Sequence, residues 1–125
     1  MKLSKISNVI LRVRDLVRSL EFYRDRLGMT VLGSSEAFAF LDGGGVTLAL
    51  NAIGVEMEAS PPGLVEVVFE VEDVEATYEA LSSAGVPFRL EPRLVMSTEG
   101  RDLLAADFRD PDGNVLSITG WRPAG

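Results

Sequence analysis

The chain has 125 residues, 46% hydrophobic and 25% charged, a balance that suits a single soluble domain with a core of its own. Its formal charge of −7 disfavours phosphate backbones and anionic lipid, so neither nucleic acid nor membrane is an expected partner. Cysteine and histidine are both absent, which excludes disulfide scaffolds, thiol nucleophiles, zinc fingers, Ser-His-Asp triads and imidazole metal sites. No uninterrupted apolar stretch reaches signal-peptide or membrane-spanning length, so a cytoplasmic location is the default expectation.

The first element is a strand. From Asn8 to Asp15 one parity is apolar (Val9, Leu11, Val13) and the other mixed (Asn8, Ile10, Arg12), the alternation of a strand with one face on a core. Asp15 is a helix N-cap, and Leu16, Leu20, Tyr23 and Leu27 form one stripe of the helix that follows, which stops at Gly28. A short strand is expected near 29–33. A hairpin follows, running from Phe40 through the tip Gly43-Gly44-Gly45 to Leu48.

The same order then returns. Glu66 to Asp73 repeats Asn8 to Asp15 at a constant offset of 66 − 8 = 58, Asp73 is the second N-cap, and Val74, Thr77, Tyr78 and Leu81 form the stripe that ends at Gly85. A strand near 86–90 and a hairpin from Phe108 to Leu116 around Asp110-Pro111-Asp112-Gly113 complete the copy, the hairpin at an offset of 110 − 42 = 68. The expected fold is therefore α+β, one domain over 1–125 made of two βαβββ modules, about 5–51 and 64–121, joined by a linker at 52–63. Each module leaves one sheet face without a helix. Two of them would form a curved mixed sheet, helices outside, around a concave groove lined by the second parity of strand residues.

Asp15-Leu16, Ser19-Leu20-Glu21-Phe22-Tyr23, Leu27-Gly28-Met29, Val71-Glu72-Asp73-Val74, Ala84-Gly85-Val86 and Asp110-Pro111-Asp112-Gly113-Asn114 occur in this order along nearly the whole chain. In this the sequence resembles the vicinal oxygen chelate superfamily, which includes glyoxalase I, extradiol dioxygenases, fosfomycin-resistance enzymes and bleomycin-resistance proteins. The resemblance implies a divalent ion held from the first and last strands of each module by histidine, glutamate or glutamine. Carried over by the repeat, those positions are Asn8, Ala49, Glu66 and Ser117, of which only Glu66 is a good ligand. A catalytic ion normally needs about three protein ligands, so no metal and no other cofactor is expected.

Glu66 is the one candidate general base, and it equally reads as a polar residue on a wet wall. Glu70 shares its parity but lies about 13 Å along the strand, too far for a shared-proton pair. Trp121 leaves two readings open, stacking on a flat ligand or capping the C-terminal core. Tyr23 and Tyr78 read as core. Gly43-Gly44-Gly45 lacks the Lys-Ser/Thr of a phosphate loop, and Asp110–Asn114 lacks the glycine and glutamate of a calcium loop.

The leading expectation is a metal-free small-molecule binding protein, nearest in character to the bleomycin-resistance type. It would sequester a small apolar or aromatic ligand among Asn8, Ile10, Arg12, Ala49, Asn51, Glu66, Val68, Ser117, Thr119 and Trp121. The alternative is a lyase, isomerase or dioxygenase with an atypical ion held by Glu66, Glu70 and water. A third reading is a partner-binding module. The unpaired sheet edges favour a homodimer.

Overall fold

Apolar alternation followed by a capping aspartate is what each half of the chain uses to pass from strand to helix. A computed structural model describes residues 3, 4, 6–52 and 65–125, so the expected linker at 52–63 lies outside the described residues from 53 onward. The elements are β1 (Asn8–Arg12), α1 (Leu16–Leu20, continuing as a π-helical segment Glu21–Arg26), β2 (Val31–Ser34), β3 (Phe38–Asp42), β4 (Thr47–Asn51), β5 (Glu66–Glu70), α2 (Val74–Ser83), β6 (Phe88–Thr98), β7 (Arg101–Arg109) and β8 (Val115–Pro123). The chain divides into two units, Met1–Ser60 and Pro61–Gly125. No helix among the described residues is long and apolar enough to cross a membrane.

Each unit is one four-stranded mixed sheet, ordered β1-β4-β3-β2 in the first and β5-β8-β7-β6 in the second. The crossover strand pairs in parallel with the last strand of its unit, and the remaining pairs are antiparallel. Two βαβββ modules are therefore present, as the repeat implies. Both N-caps form: Asp15 accepts from the Arg18 amide at 3.2 Å and Asp73 from the Ala76 amide at 3.0 Å. Gly28 and Gly85 end the helices with φ of 76° and 90°, a conformation that costs glycine nothing.

The helices cover one face of each sheet. α1 packs on β4, and α2 packs on β6, β7 and β8. Beneath α1 lie Leu11, Val13, Leu41, Leu48 and Leu50, and the second unit buries Leu104, Ala106, Phe108, Leu116 and Ile118. Each large side chain among these contributes roughly 1.5–3 kcal/mol of transfer free energy.

Three sequence expectations are corrected. In the first helix Phe22, Tyr23 and Ser19 are buried, whereas Leu20 and Leu27 of the expected stripe are only half-buried. The cause is the π-helical segment, in which the Leu27 amide donates to the Phe22 carbonyl at 2.9 Å. That wider turn shifts the apolar phase and sets the Phe22 and Tyr23 rings edge-to-face at 5.3 Å. Secondly, β6 is an eleven-residue strand rather than a short one near 86–90. Pro92 and a succession of bulges hide it from alternation, and an edge strand tolerates both because its outer amides need no partner.

The third correction concerns register. Four residues separate the paired Asp42 and Thr47, and five separate Arg109 and Val115. The second tip is thus one residue longer. Phe40 and Phe108, which match at an offset of 68, consequently face opposite ways: Phe40 pairs with Ala49 on the helix-free face, while Phe108 pairs with Leu116 in the core.

Gly120 of β8 lies close against the segment that leads into α2. A Cβ there would lie 2.5 Å from the Val71 carbonyl oxygen and 3.2 Å from a methyl of Val74. Gly120→Ala is expected to destabilise the fold by about 1–3 kcal/mol, read as a lower urea midpoint with an unchanged slope.

Candidate functional site

The helix-free face of each sheet carries the second parity of its strands, and register decides which side chains become neighbours. In the first unit one row is Ile10, Ala49 and Phe40, the next is Arg12, Asn51 and Phe38, and the last is Asn8, Thr47 and Asp42. Ile10 and Phe40 are 50% and 41% exposed, and the Phe38 and Phe40 rings lie 5.0 Å apart. Ala49 sits between Ile10 and Phe40 and is fully buried, so it forms floor rather than wall. The Asn8 amide nitrogen donates to the Ser7 hydroxyl at 2.9 Å. The middle row of this face is apolar, and polar side chains outnumber apolar ones in the rows on either side.

The second unit presents a more polar face. Its rows are Val68, Ser117 and Asp107; Glu70, Thr119 and Ala105; and, further along β8, Trp121 beside Leu103. The Ser117 hydroxyl donates to Glu66 Oε2 at 2.9 Å, so the structure joins two of the residues singled out from sequence. Thr119 turns its hydroxyl to the Leu104 carbonyl at 3.0 Å. Trp121 is half-buried, with the Arg101 guanidinium 5.1 Å from its ring centre, on the face away from α2. Val68 is 51% exposed.

Two residues that sequence reasoning did not single out complete this face. Asp107 is in register with Ser117 and its side chain is only 5% exposed. Its Oδ2 accepts from Arg89 Nη2 at 2.8 Å, while its Oδ1 is buried with no hydrogen-bond partner among the described residues. A buried acceptor left unpaired costs about 1–3 kcal/mol. The signal was present in the sequence as the odd parity Leu103, Ala105, Asp107. It was obscured by matching Phe108 to Phe40, which places Asp107 on the core side.

Metal binding was tested on the donors themselves. In the first unit Asn8 brings one amide oxygen and Ala49 brings none. In the second, Glu66 brings a carboxylate already engaged by the Ser117 hydroxyl. No three acidic side chains among the described residues stand close enough to share an ion. This set does not fit a divalent cation, which takes several anionic or imidazole ligands.

A duplicated βαβββ chain with one helix-covered and one helix-free face on each sheet defines a fold class by its architecture. The chain belongs to the Glyoxalase/Bleomycin resistance protein/Dioxygenase superfamily, whose family model matches residues 5–118. It is 44% identical over 116 residues to a metallothiol transferase FosB of Staphylococcus haemolyticus, covering 90% of this chain and 81% of that one. To a lactoylglutathione lyase of Haemophilus influenzae it is 34% identical, covering 91% and 90%. The crystal structure of a glyoxalase/bleomycin resistance protein/dioxygenase from Nocardioides superposes with a TM-score of 0.75 at 27% identity, covering all of this chain and 88% of that one.

The Ser117–Glu66 bond is open to a double-mutant cycle. Ser117→Ala and Glu66→Ala together are expected to show a coupling of about 0.5–1.5 kcal/mol in urea unfolding; strict additivity would mean the contact contributes nothing.

Proposed function

We propose that this protein binds a small, largely apolar or aromatic molecule on its helix-free sheet faces without the help of a metal ion. The observation that carries this reading is the donor set at the family's four ion positions, in which Asn8, Ala49 and Ser117 accompany a single carboxylate, Glu66. Ile10, Phe40 and Val68 add exposed apolar area suited to such a guest. In the second unit Ser117, Glu66 and Asp107, next to Val68, supply the few polar groups that fix a ligand's orientation. The names of the relatives, a lyase and a transferase, favour catalysis as the second reading.

A metal analysis separates the two. After purification without added metal and dialysis, zinc, nickel, iron and manganese are expected far below one per chain. A tightly held stoichiometric ion would overturn the metal-free reading. Binding itself is followed through Trp121, the chain's one tryptophan. Titration with neutral 2-naphthol is expected to quench its emission saturably, and Val68→Ser, on the same sheet face as Trp121, is expected to weaken that binding several-fold.

The proposal extends to assembly. Edge strands β2 and β6 leave unpaired backbone groups, and β6 also exposes Leu94, Val95 and Met96 at 57%, 52% and 48%. A homodimer is expected in sedimentation equilibrium at micromolar concentration, and a monomer throughout that range would contradict it.

A further inference from the structure

We infer that Asp107, with Glu66 on the other side of Ser117, forms the receptor for a protonated amine or amidine group of the bound molecule. This inference rests on the small-molecule reading above and names the chemical class of its guest. Three observations support it. Asp107 keeps one carboxylate oxygen, Oδ1, without a hydrogen-bond donor among the described residues although its side chain is more than nine-tenths buried. That side chain stands on the helix-free face, in register with Ser117 and away from the buried Phe108 beside it. Ser117 in turn donates to Glu66, whose second oxygen has no partner of its own among the described residues.

The row therefore presents acceptors and no spare donor. A hydroxyl that has given its proton to Glu66, a carboxylate with an idle oxygen and a second carboxylate are complementary to a group rich in N–H. Charge agrees with this. Two carboxylates meet one guanidinium, Arg89, so the contacting groups carry 2 − 1 = 1 excess negative charge. Of the other guanidinium groups of this sheet, that of Arg109 donates to the Gly113 carbonyl at 3.1 Å and that of Arg101 lies over Trp121, while Arg93 is exposed one row along, opposite Ala105. At the Asp107 carboxylate itself a charged donor gains more than a neutral hydroxyl does.

Arg89 has a specific part in this arrangement. Its side chain is 52% exposed while its guanidinium holds the inner carboxylate, so its head can move into water once a guest cation takes its place at Asp107. It acts as a resident cation that the guest's ammonium competes with at Asp107. Structural pairing alone would not explain why only one of the two Asp107 oxygens is used.

Calorimetric titration with a matched series tests the inference: benzylammonium, benzyl alcohol and benzoate, against the full-length wild type, Asp107→Asn and Arg89→Gln. The wild type is expected to bind benzylammonium most tightly. Asp107→Asn, which keeps the side-chain size, is expected to weaken benzylammonium roughly tenfold to a hundredfold, the value of one charge-assisted hydrogen bond, and to leave benzyl alcohol nearly unchanged. Arg89→Gln is expected to strengthen benzylammonium binding by removing its competitor. A merely structural Asp107 would weaken all three probes together, and that result overturns the inference. Equal binding of benzylammonium and benzyl alcohol to wild type also overturns it, while the small-molecule reading survives. Failure of all three probes at millimolar concentration overturns both. Should Asp107→Asn not fold, Arg89→Gln decides alone, and unchanged or weaker benzylammonium binding counts against the inference.

Discussion

A single carboxylate at a hairpin tip governs what the second sheet can offer a ligand. Asp110 is buried and accepts from the Asp112 amide at 2.9 Å, the Asn114 amide at 2.8 Å and the Asn114 side-chain nitrogen at 2.8 Å. These bonds hold a five-residue tip closed and so fix which residue of β7 faces which residue of β8. Because side chains alternate along a strand, a tip shorter by one residue would turn Asp107 into the core and Phe108 out of it. Placing an aromatic ring in the core and a carboxylate beside Ser117 is one event, decided at the turn.

The two units use the same architecture for different ends. Parallel pairing of β1 with β4 and of β5 with β8 forces a helical crossover, and the crossover helix can cover only one sheet face. The uncovered face of the first unit carries Ile10, Phe38 and Phe40, and that of the second carries Glu66, Ser117 and Asp107. The rings supply area without direction, and the carboxylates supply direction with little area. Duplication followed by divergence of the second parity alone separates these tasks without disturbing either core.

At the four positions carried over from the resemblance, the chain offers few donors for an ion. Alanine and serine at two of the four ion positions remove charge and bulk together, and Ser117 becomes a hydrogen-bond donor to the remaining glutamate. A carboxylate held in this way is an acceptor for a ligand's N–H or O–H rather than half of an ion site. The buried, half-satisfied Asp107 fits the same change in chemistry. Stability alone would favour an apolar residue there, as in the first unit, where Phe40 stands opposite Ala49 as Asp107 stands opposite Ser117.

Much of this was legible in the residues alone. The constant spacing of two aspartate-terminated strands established the duplicated βαβββ order, the caps at Asp15 and Asp73 and the stops at Gly28 and Gly85, because these depend on local backbone preference and on which parity must be apolar. Glu66 and Ser117 were marked out because their identity at a family position is a sequence property. Tertiary structure decided the rest. The π-helical turn that buries Phe22, the bulged edge strand through Pro92, and the one-residue difference between the two hairpin tips all alter phase. Phase is set by particular hydrogen bonds, within the helix, at the tip and between strands, that apolar periodicity does not encode. Asp107 belongs to the site for that reason: its neighbours Ser117 and Arg89 lie on other strands, and only the pairing of those strands brings the three side chains to one face.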